Sequence, residues 1–355
     1  MKKKILIIGP WISGHIQQWL GDDTSYDYLI LTCHKIKPSQ KENNLKCYFL
    51  FSQIISFIFF PFFLLLNYIK FKPDIIHVHF LSSYGLLSSF LPQKKIISIW
   101  GSDFNAKAKK NMILRMIYTF ILKRYDVINS PGYHITKDLI SFSIPDSKIL
   151  TLQYGIDLTK IEKYALTKIK KTEKVIFSSI RNWDSIYQID KLITIWNKLR
   201  LPNSELWIFG KTENKNREVM IKKLIDKGYN IKLLGFLSHD ELYKKLSSTD
   251  AFISIPKMDG TPLSVIECCY LELLPIVTTP PFYQDNIYTA LDCSIPINFN
   301  EDHLSKALVH AIKILPDELK YIKAKNKTMA LSNFDLFKNR KKMLELYEKM
   351  LWKKN

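Results

Sequence analysis

Short apolar runs alternate with amphipathic helical patterns along almost the whole chain. The runs are rich in β-branched and aromatic residues and are bounded by Pro, Gly, Asp or Ser, which is typical of buried strands. In the first half the predicted strands are Lys4–Ile8, Tyr28–Thr32, Tyr48–Phe51, Ile75–His79, Ile96–Ile99, Val127–Asn129 and Ile149–Leu152. Strands that alternate with helices predict a parallel sheet with both faces covered.

A Lys-rich, glycine-poor stretch, Thr159–Lys174, interrupts this pattern, which then restarts. The second set of strands is predicted at Val175–Ser179, Glu205–Phe209, Ile231–Leu234, Ala251–Ile255, Ile276–Thr278 and Ile295–Ile297. The accompanying helices are predicted at Ile186–Leu199, Glu213–Asp226, His239–Leu246, Leu263–Leu271, His303–Ile314 and Asp335–Trp352. The pattern therefore predicts two doubly wound α/β domains, residues 1–158 and 159–334, and a C-terminal helix, 335–355. Ligands of such sheets bind beyond the carboxyl ends of the strands, so we expect a site in a cleft between the domains.

The composition of the chain limits the classes of molecule that it is expected to bind. The chain has 355 residues, of which 47% are hydrophobic, enough for two buried cores. An excess of 52 Lys and Arg over 33 Asp and Glu gives a net charge of +19 and attracts polyanions. The basic residues are not interleaved with aromatic ones, which disfavours nucleic acid and favours an anionic membrane surface. Five cysteines without a C-x-x-C pair indicate buried thiols in a reducing compartment.

One apolar segment, Phe49–Leu66, is nearly long enough to span a bilayer. It contains Gln53, is interrupted by Ser52, Ser56 and Pro61, and lies between two predicted strands of one sheet. A transmembrane helix, a helix that dips into a membrane and a helix that covers the sheet all remain open, and the interruptions favour the last two.

The stretch Pro256–Glu267 is the most informative part of the sequence. A buried strand ends at Pro256, a tight Asp-Gly turn follows, and Pro262 suits the first turn of a helix. Three backbone amides are predicted to point out of this helix start, those of Leu263, Ser264 and Val265. Exposed amides at a helix N-terminus form an anion site. Glu267, one turn further on, is placed to accept hydrogen bonds from sugar hydroxyls such as a ribose diol.

This stretch resembles the signature of the family-4 retaining glycosyltransferases of the GT-B fold. The family has two acidic residues with seven between them, as Asp259 and Glu267 have, followed by a segment similar to Leu274–Val277. The first acid of the family is usually Glu, whereas this chain has Asp259. The resemblance implies that Asp259, next to Gly260, faces the donor sugar and that Glu267 holds the ribose.

Further landmarks of the donor half occur in the family's order. Arg181 follows the first strand of the second half, where the family has an Arg that meets the donor diphosphate. Gly210 ends the next strand, and the stretch that borders the nucleobase corresponds to Gly235, Phe236 and Leu237. The chain departs from the family at Tyr187 and Gln188, where a Lys-Gly pair is usual, so one cation of the diphosphate site is missing.

The first half resembles the acceptor domain of the family. The loop Gly9–His15 is similar to its Gly-rich N-terminal loop, although a plain strand-to-helix turn is also open. Pro73–His79 resembles its Pro-Asp-x-x-His-x-His strand, in which His77 is expected in the core and His79 at the carboxyl end. Asp103 binds acceptor hydroxyls or caps a helix. The predicted acceptor-binding residues are Gly9, Gly14, His15, His79, Trp100 (where the family often has His) and Asp103.

The resemblance implies a GT-B fold of two Rossmann-like domains, with the C-terminal helix returning to the first. It implies retaining transfer of a sugar from a nucleotide donor to a glycan, with Asp259 and Arg181 at the reaction centre and without metal or cofactor. Consistently, the sequence has no Asp-x-Asp triplet. Charge and the apolar segment favour a lipid-linked glycan acceptor of cell-surface polysaccharide synthesis, on the cytoplasmic face of the membrane. A nucleotide-sugar epimerase and a non-catalytic polyanion-binding protein are the alternatives.

Overall fold

The computed structural model describes residues 2–12, 14–20, 23–36, 44–100, 104, 111–166, 173–314 and 316–352, with the backbone alone at residues 14, 15, 282 and 284. The chain forms two compact units, Met1–Tyr154 together with Leu336–Asn355, and Gly155–Asp335. Each unit is built around one parallel sheet flanked by helices. The predicted fold class of two doubly wound α/β units is therefore confirmed.

The first unit contains a seven-stranded sheet in the order β3-β2-β1-β4-β5-β6-β7, in which every pairing is parallel. Its strands are β1 (Lys4–Ile8), β2 (Asp27–Thr32), β3 (Leu45–Cys47), β4 (Ile75–His79), β5 (Lys94–Ser98), β6 (Val127–Ser130) and β7 (Ile149–Thr151). Its principal helices are α1 (Gly14–Leu20), α2 (Gln53–Phe71), α3 (Met112–Lys123) and α4 (Tyr133–Ser141). A π-helical turn, Leu81–Gly85, runs directly into a helical turn, Leu86–Ser88.

The C-terminal helix, Leu336–Trp352, belongs to the first unit, as the sequence predicts. Its Tyr347 is buried against β4, where the hydroxyl lies 2.5 Å from His77 Nδ1. The other ring nitrogen of His77 lies 2.7 Å from Ser98 Oγ. Burial lowers the pKa of His77 to about 3, so the ring is neutral and serves the core, as expected.

Replacing Tyr347 with Phe removes the hydroxyl and leaves a buried nitrogen of His77 without a partner. Such a group costs about 1–3 kcal/mol, so we expect Tyr347→Phe to lower the thermal unfolding midpoint of the protein. Calorimetry measures the change. Phe337→Leu, at an exposed position of the same helix, is the control and is expected to leave the midpoint almost unchanged.

The second unit contains a six-stranded parallel sheet in the order β10-β9-β8-β11-β12-β13. Its strands are β8 (Val175–Ser179), β9 (Ser204–Phe209), β10 (Ile231–Gly235), β11 (Ala251–Ser254), β12 (Leu274–Thr278) and β13 (Ser294–Ile295). Its helices are α5 (Leu158–Leu166), α6 (Ile189–Leu199), α7 (Lys215–Asp226), α8 (His239–Leu246), α9 (Leu263–Tyr270), α10 (Pro281–Asn286), α11 (Glu301–Lys313) and α12 (Pro316–Asn333). The central strands β11 and β12 are buried throughout, as helices on both faces of a parallel sheet require.

Two predictions of secondary structure are wrong, and one long helix was not predicted. The strand predicted at Tyr48–Phe51 is β3, Leu45–Cys47, because pairing with β2 ends where the Tyr48 amide bonds Thr32 O. The predicted interruption at Thr159–Lys174 contains most of α5. Helix α12 escaped prediction because its buried face includes a polar residue, Asn326, whose amide bonds the backbone of Tyr288.

Candidate functional site

Three residues predicted for the donor site come together at the carboxyl end of β8. Arg181 is 7% exposed, and its Nη2 lies 2.8 Å from Asp259 Oδ2 in an ion pair. Its Nη1 donates a hydrogen bond of 2.9 Å to Ser264 Oγ, in the first turn of α9. The loop after β11 and the start of α9 are therefore tied to the loop after β8, as expected where neighbouring parallel strands end at one edge.

Tyr283 completes this cluster and was not predicted. It is buried on α10, and its hydroxyl donates to Asp259 Oδ2 at 3.0 Å. The same hydroxyl lies 3.0 Å from Ser254 Oγ at the end of β11. Topology offers the signal that could have found it, because α10 follows β12, the neighbour of β11, and so begins at the same edge of the sheet.

Tyr187, which stands in the sequence where the resembling family usually has Lys, places an aromatic ring against Arg181. The ring centroid of Tyr187 lies 4.2 Å from Arg181 Cζ, a cation–π contact. Burial disfavours the charged guanidinium, but Tyr283, Asp259 and Tyr187 outweigh it and raise the pKa of Arg181 above its ordinary value. The neighbouring Gln188 donates to the backbone oxygen of Ile255, which fixes the loop. The site thus holds Arg181 as a fixed, permanently charged group.

The start of α9 differs in two details from the prediction. Pro262 lies outside the helix as its N-cap residue rather than in the first turn. The Val265 amide is not free, because it donates to Pro262 O at 3.0 Å. Within the described residues no hydrogen bond is made to the amides of Leu263 and Ser264. Two exposed amides, the helix dipole and Arg181 therefore make this edge of the sheet electropositive.

Glu267 lies one turn into α9 in a buried setting. Its Oε1 accepts a hydrogen bond of 3.0 Å from the hydroxyl of Tyr243 on α8. Burial raises the pKa of Glu267 to about 7, although the bond from Tyr243 lowers it in part. Tyr243 was not predicted, since it looks like an ordinary core position of an amphipathic helix. The result is a carboxyl group held in place and poised to change protonation near neutral pH.

The two predicted glycines meet at the ends of β9 and β10, where the Gly210 amide donates to Gly235 O at 2.8 Å. Both have a positive φ, +87° and +67°. A Cβ at Gly210 would lie 2.6 Å from Arg181 O, whereas a Cβ at Gly235 would meet nothing within 4 Å. Phe236 is 68% exposed with Lys211 Nζ 4.5 Å from its ring centroid, and Leu237 packs partly against the core.

Substituting Gly210 by Ala is expected to displace the backbone that carries Arg181. Strain at the positive φ and overlap with Arg181 O together cost about 1–3 kcal/mol. The matched variant Gly235→Ala also places a side chain at a positive φ, but the new methyl group has open space around it. We expect this variant to cost about 1 kcal/mol. Thermal unfolding of the two variants compares these costs directly. Equal midpoints would show that contact with Arg181 is unimportant.

The first unit gathers part of the predicted acceptor set at the carboxyl ends of β1 and β4. A Cβ at Gly9 would lie 2.8 Å from His79 Cβ, so only glycine fits there. The ring of His79 stacks on His77 at 4.3 Å and meets Trp100 edge-on at 6.1 Å. Gly14 begins α1. The side chain of His15 and the whole of Asp103 lie outside the described residues.

Trp100 also lines a small pocket in the first unit, with a cavity volume of about 20 Å³. Two further aromatic residues line it, Trp19 and Tyr154, whose rings meet edge-on at 6.0 Å. Ser98 and Asn129 add polar groups, with the Asn129 amide donating to Ser98 Oγ at 3.1 Å. A cavity of this size has room for about one water molecule. In the part of the chain that the structure describes, no group of three His, Cys, Asp or Glu residues is placed to hold a metal ion.

Comparison with known proteins bears on both units. Residues 63–131 match the family model described as Glycosyl transferase 4-like, and residues 161–328 match the one described as Glycosyl transferases group 1. A comparison with curated protein sequences found no match.

Solved structures share the fold over nearly the whole chain. Sucrose-phosphate synthase from Thermosynechococcus elongatus has a TM-score of 0.76 at 12% identity, over 98% of this chain and 99% of that one. Anabaena HepE in complex with UDP has a TM-score of 0.77 at 9% identity, over 98% and 100%. The lipopolysaccharide outer core galactosyltransferase WaaB has a TM-score of 0.72 at 13% identity, over 98% and 99%.

The two Rossmann-like units and the two family models define a glycosyltransferase of the GT-B fold. More particularly, the match to the group 1 model lies within the second unit, which carries the cluster of Arg181 and Asp259.

Proposed function

We propose that this protein transfers a sugar from a nucleotide-diphosphate donor to a glycan acceptor, with retention of anomeric configuration and without a metal or cofactor. The observation that carries the proposal is the cluster of Arg181, Asp259 and Ser264 at the start of α9, with Glu267 one turn further on. It combines a fixed cation and exposed amides with two carboxyl groups on one turn and helix.

The cation and amides stabilise the leaving group. When the bond between the sugar C1 and the diphosphate oxygen breaks, negative charge develops on the diphosphate. The guanidinium of Arg181 bonds Asp259 and Ser264 and also has a hydrogen bond to Tyr187. Its remaining N–H groups and the amides of Leu263 and Ser264 donate to the diphosphate oxygens. In a site that excludes water, fixed hydrogen-bond donors of this kind stabilise the developing negative charge, as a metal ion does in other enzymes.

The carboxyl groups hold the sugar portions of the donor. Asp259 accepts hydrogen bonds from hydroxyls of the transferred sugar, and Glu267 accepts them from the ribose diol. The acceptor hydroxyl attacks C1 from the side of the leaving group, a new C1–O bond forms, and a diphosphate oxygen takes the hydroxyl proton. The two catalytic carboxylates of a glycosidase lie on opposite sides of the bond that is cleaved. Asp259 and Glu267 instead lie on one turn and on the helix that follows it.

The nature of the two substrates is also proposed. Anabaena HepE was solved with UDP, which makes uridine nucleotides the first donors to test. WaaB is described as a lipopolysaccharide outer core galactosyltransferase, which supports a cell-surface glycan as the acceptor. We assign acceptor binding to Gly9, His79 and Trp100, and a lipid-linked acceptor on the cytoplasmic face of the membrane accounts for the apolar surface described below.

A thermal-shift panel of nucleotide sugars tests the donor assignment, because a ligand that binds only the folded state raises the unfolding midpoint. We expect one nucleotide sugar to raise it in the presence of EDTA, and Glu267→Ala to abolish that rise. A rise that needs a divalent cation would contradict the metal-free mechanism, and no rise with any donor would contradict the site. NMR of the product then gives the anomeric configuration, and donor conversion without an acceptor would indicate an epimerase instead.

A further inference from the structure

Helix α2 carries a long apolar surface that the first unit leaves exposed. The helix has 19 residues and is apolar and long enough to cross a membrane, yet only 22% of its most apolar window is buried. Its exposed side chains recur three or four residues apart and so form one stripe: Ile54, Ile58, Phe62, Leu65, Leu66 and Ile69. Soluble monomeric proteins rarely expose a continuous apolar surface of this kind.

Helix α3, on the same face of the sheet, presents a second apolar stripe. Its exposed side chains are Met112, Ile113, Met116, Ile117 and Phe120. The inner sides of α2 and α3 belong to one core cluster on one face of the sheet, through Phe60 and Leu64 of α2 and Ile121 and Leu122 of α3. Because both helices lie on the same face, their exposed stripes point away from the sheet on the same side. We call these two stripes the apolar face.

The part of the sequence that contains α2 and α3 is basic. Residues 43–125 contain eleven Lys and Arg against two Asp, Asp74 and Asp103. Of these, Asp103, Lys107, Lys109 and Lys110 lie outside the described residues, and Lys94 bonds the backbone of Met350. No acidic residue occurs within α2 or α3, and basic residues end both helices, at Lys70 and Lys123. An apolar helix face flanked by cations matches an anionic bilayer, in which acyl chains receive the apolar groups and headgroups receive the charges.

The inner side of α2 favours a helix that lies in the membrane plane over one that spans. Phe60 and Leu64 are buried in the core of the sheet, and Asn67 Oδ1 accepts a hydrogen bond of 2.7 Å from Nζ of Lys46 on β3. The Leu50 amide donates to Ser56 Oγ at 2.9 Å. A spanning α2 would have to give up these contacts and uncover one face of the sheet.

We propose that the apolar face of α2 and α3 docks the protein, in the plane of the interface, on a bilayer that contains anionic lipid. The purpose that we give to docking, access to a lipid-linked acceptor, rests on the proposed function, whereas the docking itself does not. Docking itself needs no nucleotide sugar, so vesicle binding and donor binding fail or succeed separately.

Flotation with phosphatidylcholine vesicles, with and without phosphatidylglycerol, tests the proposal on the full chain. We expect the wild type to float with anionic vesicles. Ile58→Asp with Phe62→Asp, and separately Met116→Asp, should each weaken binding by at least about tenfold. The matched control is Val219→Asp with Leu291→Asp, two exposed apolar positions of the second unit, which should leave binding unchanged. Unfolding midpoints confirm that each variant is folded.

Other outcomes overturn the proposal. Unchanged vesicle binding in all variants would mean that charge alone attracts the protein. If only the α2 variant lost vesicle binding, α3 would not be part of the docking surface. A wild type that resists extraction by alkaline carbonate would indicate a spanning helix. A wild-type dimer that the same variants dissociate, without vesicle binding, would show that a second copy covers the face.

Discussion

Arg181→Gln is expected to lower kcat/KM by about 10²–10³-fold, the usual loss when one fixed donor to a developing oxyanion is removed. The substitution also leaves the carboxylate of Asp259 without its cation in a site where the Asp259 side chain is 12% exposed. Breaking such a pair costs about 3–5 kcal/mol, so the unfolding midpoint should fall as well. Steady-state kinetics and calorimetry measure the two effects.

The double variant Arg181→Gln with Asp259→Asn separates catalysis from stability. It removes both charges, with Asn isosteric to Asp and Gln shorter than Arg, so most of the lost stability should return. Activity should not return, because the diphosphate still lacks its cation and the transferred sugar lacks the Asp259 carboxylate. A double variant that recovers activity would reduce Arg181 to a structural partner of Asp259 and refute its assigned role.

The parts of the site that the sequence predicted are those that local geometry determines. Asp259, Ser264 and Glu267 lie on one turn and the helix that follows it, so their spacing alone places them together. Arg181 was found through the resemblance, because the family has an Arg after the corresponding strand. In the structure that strand ends at the same edge of the sheet.

The residues that escaped prediction act across long separations in sequence. Tyr283 reaches Asp259 from another helix, and Tyr243 reaches Glu267 from a third. A buried tyrosine looks the same in sequence whether its hydroxyl bonds a carboxylate of the site or a distant backbone group, as that of Tyr125 does at Gly85 O. Hydrogen-bond partners of core tyrosines depend on tertiary packing, which periodicity does not encode.

The position of Tyr187 shows a departure from the family that only coordinates interpret. In sequence it reads as a missing cation. In the structure its ring lies against the Arg181 guanidinium, so it contributes to the same electrostatic group. Helix α2 is a similar case, since its composition left three placements open until the structure showed which side chains are buried.

Donor affinity is expected to rise with pH between about 6 and 8 and to level off above that range. Burial holds the pKa of Glu267 at about 7 in the empty protein. Ribose hydroxyls donate to the carboxylate and favour its charged form, so the donor-bound pKa is lower and binding releases a proton. Affinity therefore falls by up to about tenfold per pH unit below pH 7. Calorimetric titration with a nucleotide sugar measures this pH dependence. The diphosphate of a nucleotide sugar has no ionisation near neutral pH, so the ligand itself contributes no proton.

Glu267→Gln tests the same carboxyl group from the side of stability. In the wild type the folded pKa, about 7, exceeds the usual value of 4.5, so folding favours the protonated form and stability declines as pH rises through 7. The variant keeps an acceptor for Tyr243 but carries no charge. It should be more stable than the wild type at pH 8, by about 3 kcal/mol, and no more stable at pH 4, while its donor affinity is weak and independent of pH. His239→Gln is the control, because His239 Nδ1 lies 3.2 Å from the hydroxyl of Tyr243, the residue that bonds Glu267. If that variant loses the pH dependence and Glu267→Gln retains it, the proton released on binding comes from the histidine, and Glu267 does not hold the ribose as a carboxylate.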